Sequence, residues 1–139
     1  QKQIKLIQED GDCTITGSYL LLYRAVYNLV ENAIKYNHPG GKVTVNIQQK
    51  KSLLNAAVSP APADCAFIEV SDTGIGISPE YQEKIFTPFF RIDKSRSRAM
   101  GGAGLGLALV NEIARQHGGE VKVLKSDKNG STIALILPL

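Results

Sequence analysis

The chain has no tryptophan, a single methionine and two cysteines in 139 residues, and the shortages exclude specific chemistries. Cys13 and Cys65 lie far apart and make no metal-ligand spacing. They read as free thiols in a reducing compartment rather than as a disulfide. No apolar run approaches the roughly 18 residues that a membrane-spanning helix needs. There is no signal peptide, since the chain opens Gln1-Lys-Gln-Ile-Lys with alternating polarity. The missing initiator methionine reads as a piece cut from a longer protein, so any membrane attachment is expected only through parts outside this chain. Internal repeats and low-complexity tracts are absent too.

What is present is ordinary in composition. The apolar fraction is 43% and the charged fraction 21%, which fits one globular domain able to build a core without metal or disulfide staples. The net charge of +3 raises the question of nucleic acid, but its distribution argues against it. Arg91, Lys94, Arg96 and Arg98, offset by Asp93, carry the whole excess within one short stretch. A local basic loop suits a phosphate ligand better than a duplex-sized surface.

Alternation predicts short strands over 4–9 and 13–16, around the turn Asp10-Gly11-Asp12. Ser18 is a plausible N-cap for a helix running to about Asn37. Leu22, Ala25, Val26, Leu29, Ala33 and Ile34 recur at helical spacing and should face the core. Asn37-His-Pro39-Gly-Gly41 then breaks and reverses the chain. Val43, Val45 and Ile47 read as one strand and Phe67, Ile68 and Val70 as its antiparallel partner. The aperiodic segment from Lys50 to Cys65 reads as a long hairpin loop. Pro79 to Ile85 looks like a short helix behind Ser78, and Leu105 to His117 like a second long one closed by Gly118-Gly119. Val121, Val123, Ile133, Leu135 and Leu137 finish as a hairpin around 127–130. The expected fold is α/β: a two-layer sandwich with a mixed, mostly antiparallel sheet and its helices on one face.

Three polar segments carry the chemistry. In Asn28-Leu-Val-Glu-Asn32-Ala-Ile-Lys35-Tyr36, the residues Asn28, Asn32 and Lys35 fall at steps of four and three, so they share one face beside the core. An amide oxygen is a hard, neutral ligand suited to Mg2+, and beside a triphosphate it adds no repulsive charge. The same residues also fit an ordinary amphipathic helix with capping amides and a Glu31–Lys35 pair. Asp72-Thr-Gly74-Ile-Gly76-Ile77 places a carboxylate at a strand end, where it can accept the adenine amino proton. Gly74 and Gly76 leave no Cβ between main chain and a planar base; a bare Asp-x-Gly-x-Gly is equally a common turn. Gly101-Gly102-Ala-Gly104-Leu105-Gly106-Leu leads into a helix whose N-terminal amides and dipole favour phosphate oxygens. It is neither a dinucleotide fingerprint, lacking the preceding strand, nor a P-loop, lacking the Lys-Ser/Thr ending.

With these segments in this order the chain resembles the ATP-binding catalytic domain of two-component sensor histidine kinases, in the GHKL (HATPase) superfamily, from about Ile4 to Leu139. The resemblance implies a Bergerat-type sandwich, one catalytic and ATP-binding domain over residues 1–139, and ATP and Mg2+ as cofactors. It implies that Asn32 binds the metal, that Asn28 and Lys35 contact phosphates and that Tyr36 borders the nucleotide. Asp72, Gly74, Gly76 and Ile77 correspond to the first glycine box, and Gly102, Gly104, Leu105 and Gly106 to the second, with Ala103 where Thr or Ser is usual. Ile85-Phe86-Thr-Pro88-Phe89-Phe90-Arg91 resembles the F box, whose aromatics anchor a lid while Arg91 reaches the γ-phosphate. Thr132 matches a position near the adenine. The implied partners are a separate helical dimerisation and phosphoacceptor domain and a response regulator receiver domain, with no nucleic acid, in a cytoplasmic setting of a bacterial sensor.

Neither histidine fits the phosphoacceptor motif, in which Glu or Asp follows directly: His38 precedes Pro39 and His117 precedes Gly118. The acceptor and base are therefore expected outside this chain. Hydrolysing members of the superfamily place a Glu four residues before the magnesium Asn; here that residue is Asn28, which cannot act as a base. Two other readings stay open: an anti-sigma-type serine kinase with the same pocket, and a degenerate pocket serving only as an interaction module.

Overall fold

The computed structural model describes residues 5–8, 15–52, 62–90 and 106–139. Helix α1 spans Tyr19–Lys35. Ser18 starts it as expected: its backbone is extended and its Oγ accepts from Leu21 N at 3.3 Å, satisfying one of the amides the first turn leaves orphaned. Ala25, Leu29 and Ala33 are buried, with Leu22, Val26 and Ile34 packed partly against the same core. The side turned to solvent carries Tyr19, Tyr23 and Tyr27, whose rings stack at successive centroid distances of 6.3 and 6.4 Å.

Strand β1 (Lys5–Gln8) corrects the sequence reading. It lies parallel to β2 (Lys42–Ser52), from Lys5 opposite Lys42 to Gln8 opposite Val45. Helix α1 is thus the crossover that a parallel pair requires. Ile15 and Thr16 form no strand; the rest of the strand expected at 13–16 lies outside the described residues. β2 pairs antiparallel with β3 (Ala63–Asp72), from Val43 opposite Asp72 to Ser52 opposite Ala63. The loop expected from Lys50 to Cys65 is shortened accordingly, because Lys50 bonds Glu69 at 2.8 Å and Lys51 pairs with Asp64 at 3.2 Å along the extended ladder.

The short helix expected over 79–85 is instead two 3-10 turns, Pro79–Tyr81 and Lys84–Phe86. Helix α2 spans Gly106–Gln116 and buries Val110, Ile113 and Ala114. Gly118, at φ 75°, ends it, and the Gly119 amide returns to Ala114 O at 2.8 Å. Strands β4 (Glu120–Asp127) and β5 (Gly130–Pro138) close the sheet in the order β1-β2-β3-β5-β4. Between Val123 and Lys125 the β4–β5 register slips.

Both helices cover one face, where Leu29, Val43, Val70, Ile113, Ile133 and Leu135 form the core. Each such side chain contributes about 1.5–3 kcal/mol by leaving water. On the far face Phe67, Ala134, Ile136 and the free thiol of Cys65 are buried. His117 ties the two helices. Its Nε2 accepts the Ser18 amide at 3.1 Å, so Nδ1 carries the proton and donates to Ile113 O at 2.8 Å. No helix among the described residues is long and apolar enough to cross a membrane.

Candidate functional site

The polar stripe of α1 borders the start of α2. A β-carbon built on Gly106 would stand 3.5 Å from Asn28 Oδ1, so the first polar segment touches the end of the third. Asn28 and Asn32 are both half-buried, and neither carboxamide makes a hydrogen bond with another described residue. Lys35 pairs with Glu31 at 3.3 Å, the i,i+4 contact that helical spacing allows.

The second polar segment packs on the other end of the same helix. Ile75 N donates to Tyr36 O at 3.3 Å, and a β-carbon on Gly74 would collide with that carbonyl. Asn37, only 3% exposed, cements this junction. Its Nδ2 donates to Lys42 O at 2.9 Å, while its Oδ1 accepts from His38 N at 2.9 Å and Thr73 Oγ1 at 3.2 Å. In the sequence Asn37 reads as a helix stop; nothing in local periodicity announces a contact made across the fold. Asn37→Ala would leave His38 N without its partner and cost Lys42 O and Thr73 Oγ1 one bond each, although Thr73 N and Lys42 N still reach those two oxygens. We expect a loss of about 2–3 kcal/mol in unfolding free energy, measured by urea titration.

Asp72 is the strand-end carboxylate that its position in the sequence predicts. Its Oδ1 accepts from Gly74 N at 2.9 Å and Ser131 N at 3.2 Å. Burial pushes its carboxyl up from the ordinary range, and the two amide bonds pull in the opposite direction without overcoming it. Gly76 sits at φ 77° with its α-carbon against Asp127 O, leaving no room for a side chain. Ile77 donates its amide to Ser126 Oγ at 2.6 Å and packs against the core.

Thr132 is not brought to this cluster. It lies opposite Ser71 with the two hydroxyls 2.8 Å apart, on the sheet face away from the helices, because its neighbour Ile133 faces the core. Ser131 takes the inward place, its Oγ 2.9 Å from Ser126 Oγ. Arg91, Gly102, Gly104 and Leu105 lie outside the described residues. Of the F box, Phe86 is buried and Phe90 meets Tyr81 at 5.8 Å between ring centroids. Phe89 is exposed at φ 64°, the one non-glycine with positive φ among the described residues. Such left-handed strain concentrates at functional segments.

The donor set fits a nucleotide and its magnesium. Among the described residues no three His, Cys, Asp or Glu side chains gather to cage a metal. The uncommitted carboxamide oxygen of Asn28 nevertheless faces the start of α2, with that of Asn32 one turn further along the same helix, which suits a cation that takes one or two protein oxygens and the rest from phosphate and water.

A two-layer α/β sandwich with a polar helix stripe set against two glycine segments defines an ATPase-type nucleotide fold. A family model for histidine kinase-, DNA gyrase B-, and HSP90-like ATPases matches residues 17–139. The chain belongs to that family, as the ATP-binding domain of the sensor histidine kinase type. Over 124 residues it is 42% identical to the sensor-like histidine kinase SenX3 of Mycobacterium tuberculosis, covering 89% of this chain and 27% of that protein. It is 38% identical over 113 residues to the sensor histidine kinase WalK of Bacillus subtilis, covering 80% and 16%. Among solved structures, the mycobacterial sensor histidine kinase MprB superposes with a TM-score of 0.76 at 30% identity, over 97% of this chain and 81% of that one. Full-length ShkA in complex with AMPPNP superposes with a TM-score of 0.73 at 26% identity, over 97% and 25%. The chain therefore spans only a minor part of the curated relatives it matches.

Proposed function

We propose that this chain binds Mg-ATP and presents the γ-phosphoryl group to a histidine on a separate helical dimerisation domain, in two-component signal transduction. The observation that carries the reading is convergence. Asn28 meets Gly106 at the start of α2, while Tyr36 and Asn37 meet Gly74 and Thr73 beside Asp72. One ligand of triphosphate length can thus reach all three segments.

In this reading Asp72 takes the adenine amino group through the oxygen not engaged by main-chain amides. Asn28 and Lys35 hold phosphate oxygens, and Asn32 turns a neutral oxygen to the cation. Bound magnesium supplies charge neutralisation at the phosphates. The rest is positioning and electrostatics, supplied by α1 and the turn that follows Asp72. The resulting phosphohistidine would serve a response regulator receiver domain.

Two measurements test this. Calorimetry with a non-hydrolysable ATP analogue should show magnesium-dependent binding; none would leave only an interaction module. With ATP and a helical dimerisation domain supplied separately, the transferred phosphate should be acid-labile, whereas an acid-stable product would indicate a serine kinase. Alone, the chain should hydrolyse ATP slowly or negligibly, because Asn28 stands where a water-activating carboxylate would be needed. Turnover at the rate of a dedicated ATPase under saturating Mg-ATP would contradict that.

A further inference from the structure

Val121 and Val123 of β4 face the helices, opposite Leu135 and Ile133 of β5. Uninterrupted alternation would turn Lys125 the same way, beneath the first glycine segment. The slip between Val123 and Lys125 reverses that parity. Lys125 falls opposite Thr132, on the far face, and Ser126 falls opposite Ser131, on the helix side. Bulges commonly re-aim a side chain in this manner next to functional sites.

What the bulge re-aims is a hydroxyl into a closed polar ring. Ser126 Oγ accepts the Ile77 amide at 2.6 Å and stands 2.9 Å from Ser131 Oγ. The amide of Ser131 donates to Asp72 Oδ1 at 3.2 Å, and the same oxygen accepts from Gly74 N at 2.9 Å. The turn from Gly74 to Ile77 is therefore held at its start by Asp72 and at its end by Ser126. Asp127, the residue after Ser126, lays its carbonyl against Gly76.

We propose that Ser126 is a positioning residue that sets the base specificity of the site. It acts through Ile77 and Ser131 to fix the glycine turn and the Asp72 carboxylate in the geometry that selects a 6-aminopurine over a 6-oxopurine. The proposal rests on the reading of Asp72 as the adenine acceptor. A hydroxyl that merely satisfied its neighbours would contribute to stability without bearing on which base is bound.

The test uses the 139-residue chain, ATP and ITP binding by calorimetry, and exchange of the Ile77 amide followed by NMR. Ser126→Ala should weaken ATP binding about tenfold and ITP binding about twofold, the scale of one lost hydrogen bond at a charged acceptor's support. The Ile77 amide should lose its exchange protection, and Ser126→Thr, which keeps the hydroxyl, should restore both properties. Equal weakening of ATP and ITP, or unchanged Ile77 exchange, would overturn the proposal. Should Ser126→Ala not fold, Ser126→Cys supplies a poorer acceptor of similar size; it should narrow the ATP-over-ITP preference, and an unchanged preference would overturn the proposal. A wild-type chain that binds ATP and ITP alike would overturn the base reading of Asp72 and the role of Ser126 with it. A wild type that prefers ATP, with Ser126→Ala keeping that preference, would overturn the role of Ser126 alone.

Discussion

Asp72→Asn is expected to convert a site for adenine into one for hypoxanthine or guanine. Oδ1 is engaged by two main-chain donors, Gly74 N and Ser131 N. A carboxamide keeps both bonds only with its oxygen in that position, which puts its NH2 where the second carboxylate oxygen stood. The variant then meets the amino donor of adenine with another donor, whereas a 6-oxopurine offers it a carbonyl. A hydrogen bond to a charged group is worth about 1.5–3 kcal/mol, so ATP affinity should fall on the order of 100-fold, while ITP affinity rises. Calorimetry with both nucleotides reads the inversion directly. A variant that still prefers ATP would remove Asp72 from base recognition.

Acidification of the wild type should approach the same state by a different route. Burial holds the Asp72 carboxyl above its ordinary value of 3.8, so it takes up a proton earlier on the way down in pH than an exposed aspartate does. With Oδ1 occupied, that proton resides on the second oxygen and turns the acceptor into a donor. The preference for ATP over ITP should therefore fade as pH falls through the raised pKa. Stability runs in the other direction. The folded chain holds this proton more tightly than the unfolded chain does, so the group's contribution is lost as pH rises from its ordinary value through the raised one. In Asp72→Asn both dependences should disappear.

Asn32→Ala should abolish the magnesium dependence of nucleotide binding while leaving the fold intact. Asn32 makes no side-chain hydrogen bond with another described residue, and alanine is the better helix former, so α1 loses nothing by the change. The loss falls on the ligand alone: about 100-fold in affinity for the magnesium complex, on the scale of about 3 kcal/mol for a contact to a charged group, with metal-free binding little changed. Asn32→Asp keeps an oxygen but sets a negative charge beside the triphosphate, and should fall between the two. Titrations with and without magnesium, alongside thermal unfolding, separate these outcomes. Retained magnesium dependence in Asn32→Ala would place the metal donor elsewhere.

Elements written in local pattern were legible. Ser18 caps α1, and Ala25, Leu29 and Ala33 are buried as their spacing predicts. Val43, Val45 and Ile47 do pair with the strand containing Ile68 and Val70. What escaped was register, strand direction and side-chain contacts set between distant segments. Residues 5–8 alternate alike in a hairpin or a parallel pair, and only the α1 crossover decides between them. The bulge after Val123 has no composition signal, so nothing local shows that Ser126 and Ser131 turn to the helix side while Thr132 meets Ser71 on the other. Likewise Asn37 reads as a turn residue until its contact with Thr73 is seen across the fold. The segments themselves announced nucleotide chemistry; the packing that holds them did not.

The imidazole of His117 has one further bearing on phosphate chemistry. Its single lone pair already faces the Ser18 amide, and its proton faces Ile113 O. To become a phosphohistidine it would have to release the beginning of one helix or the end of the other. The ring that joins the two helices is thereby withheld from phosphorylation by the two bonds that keep them together.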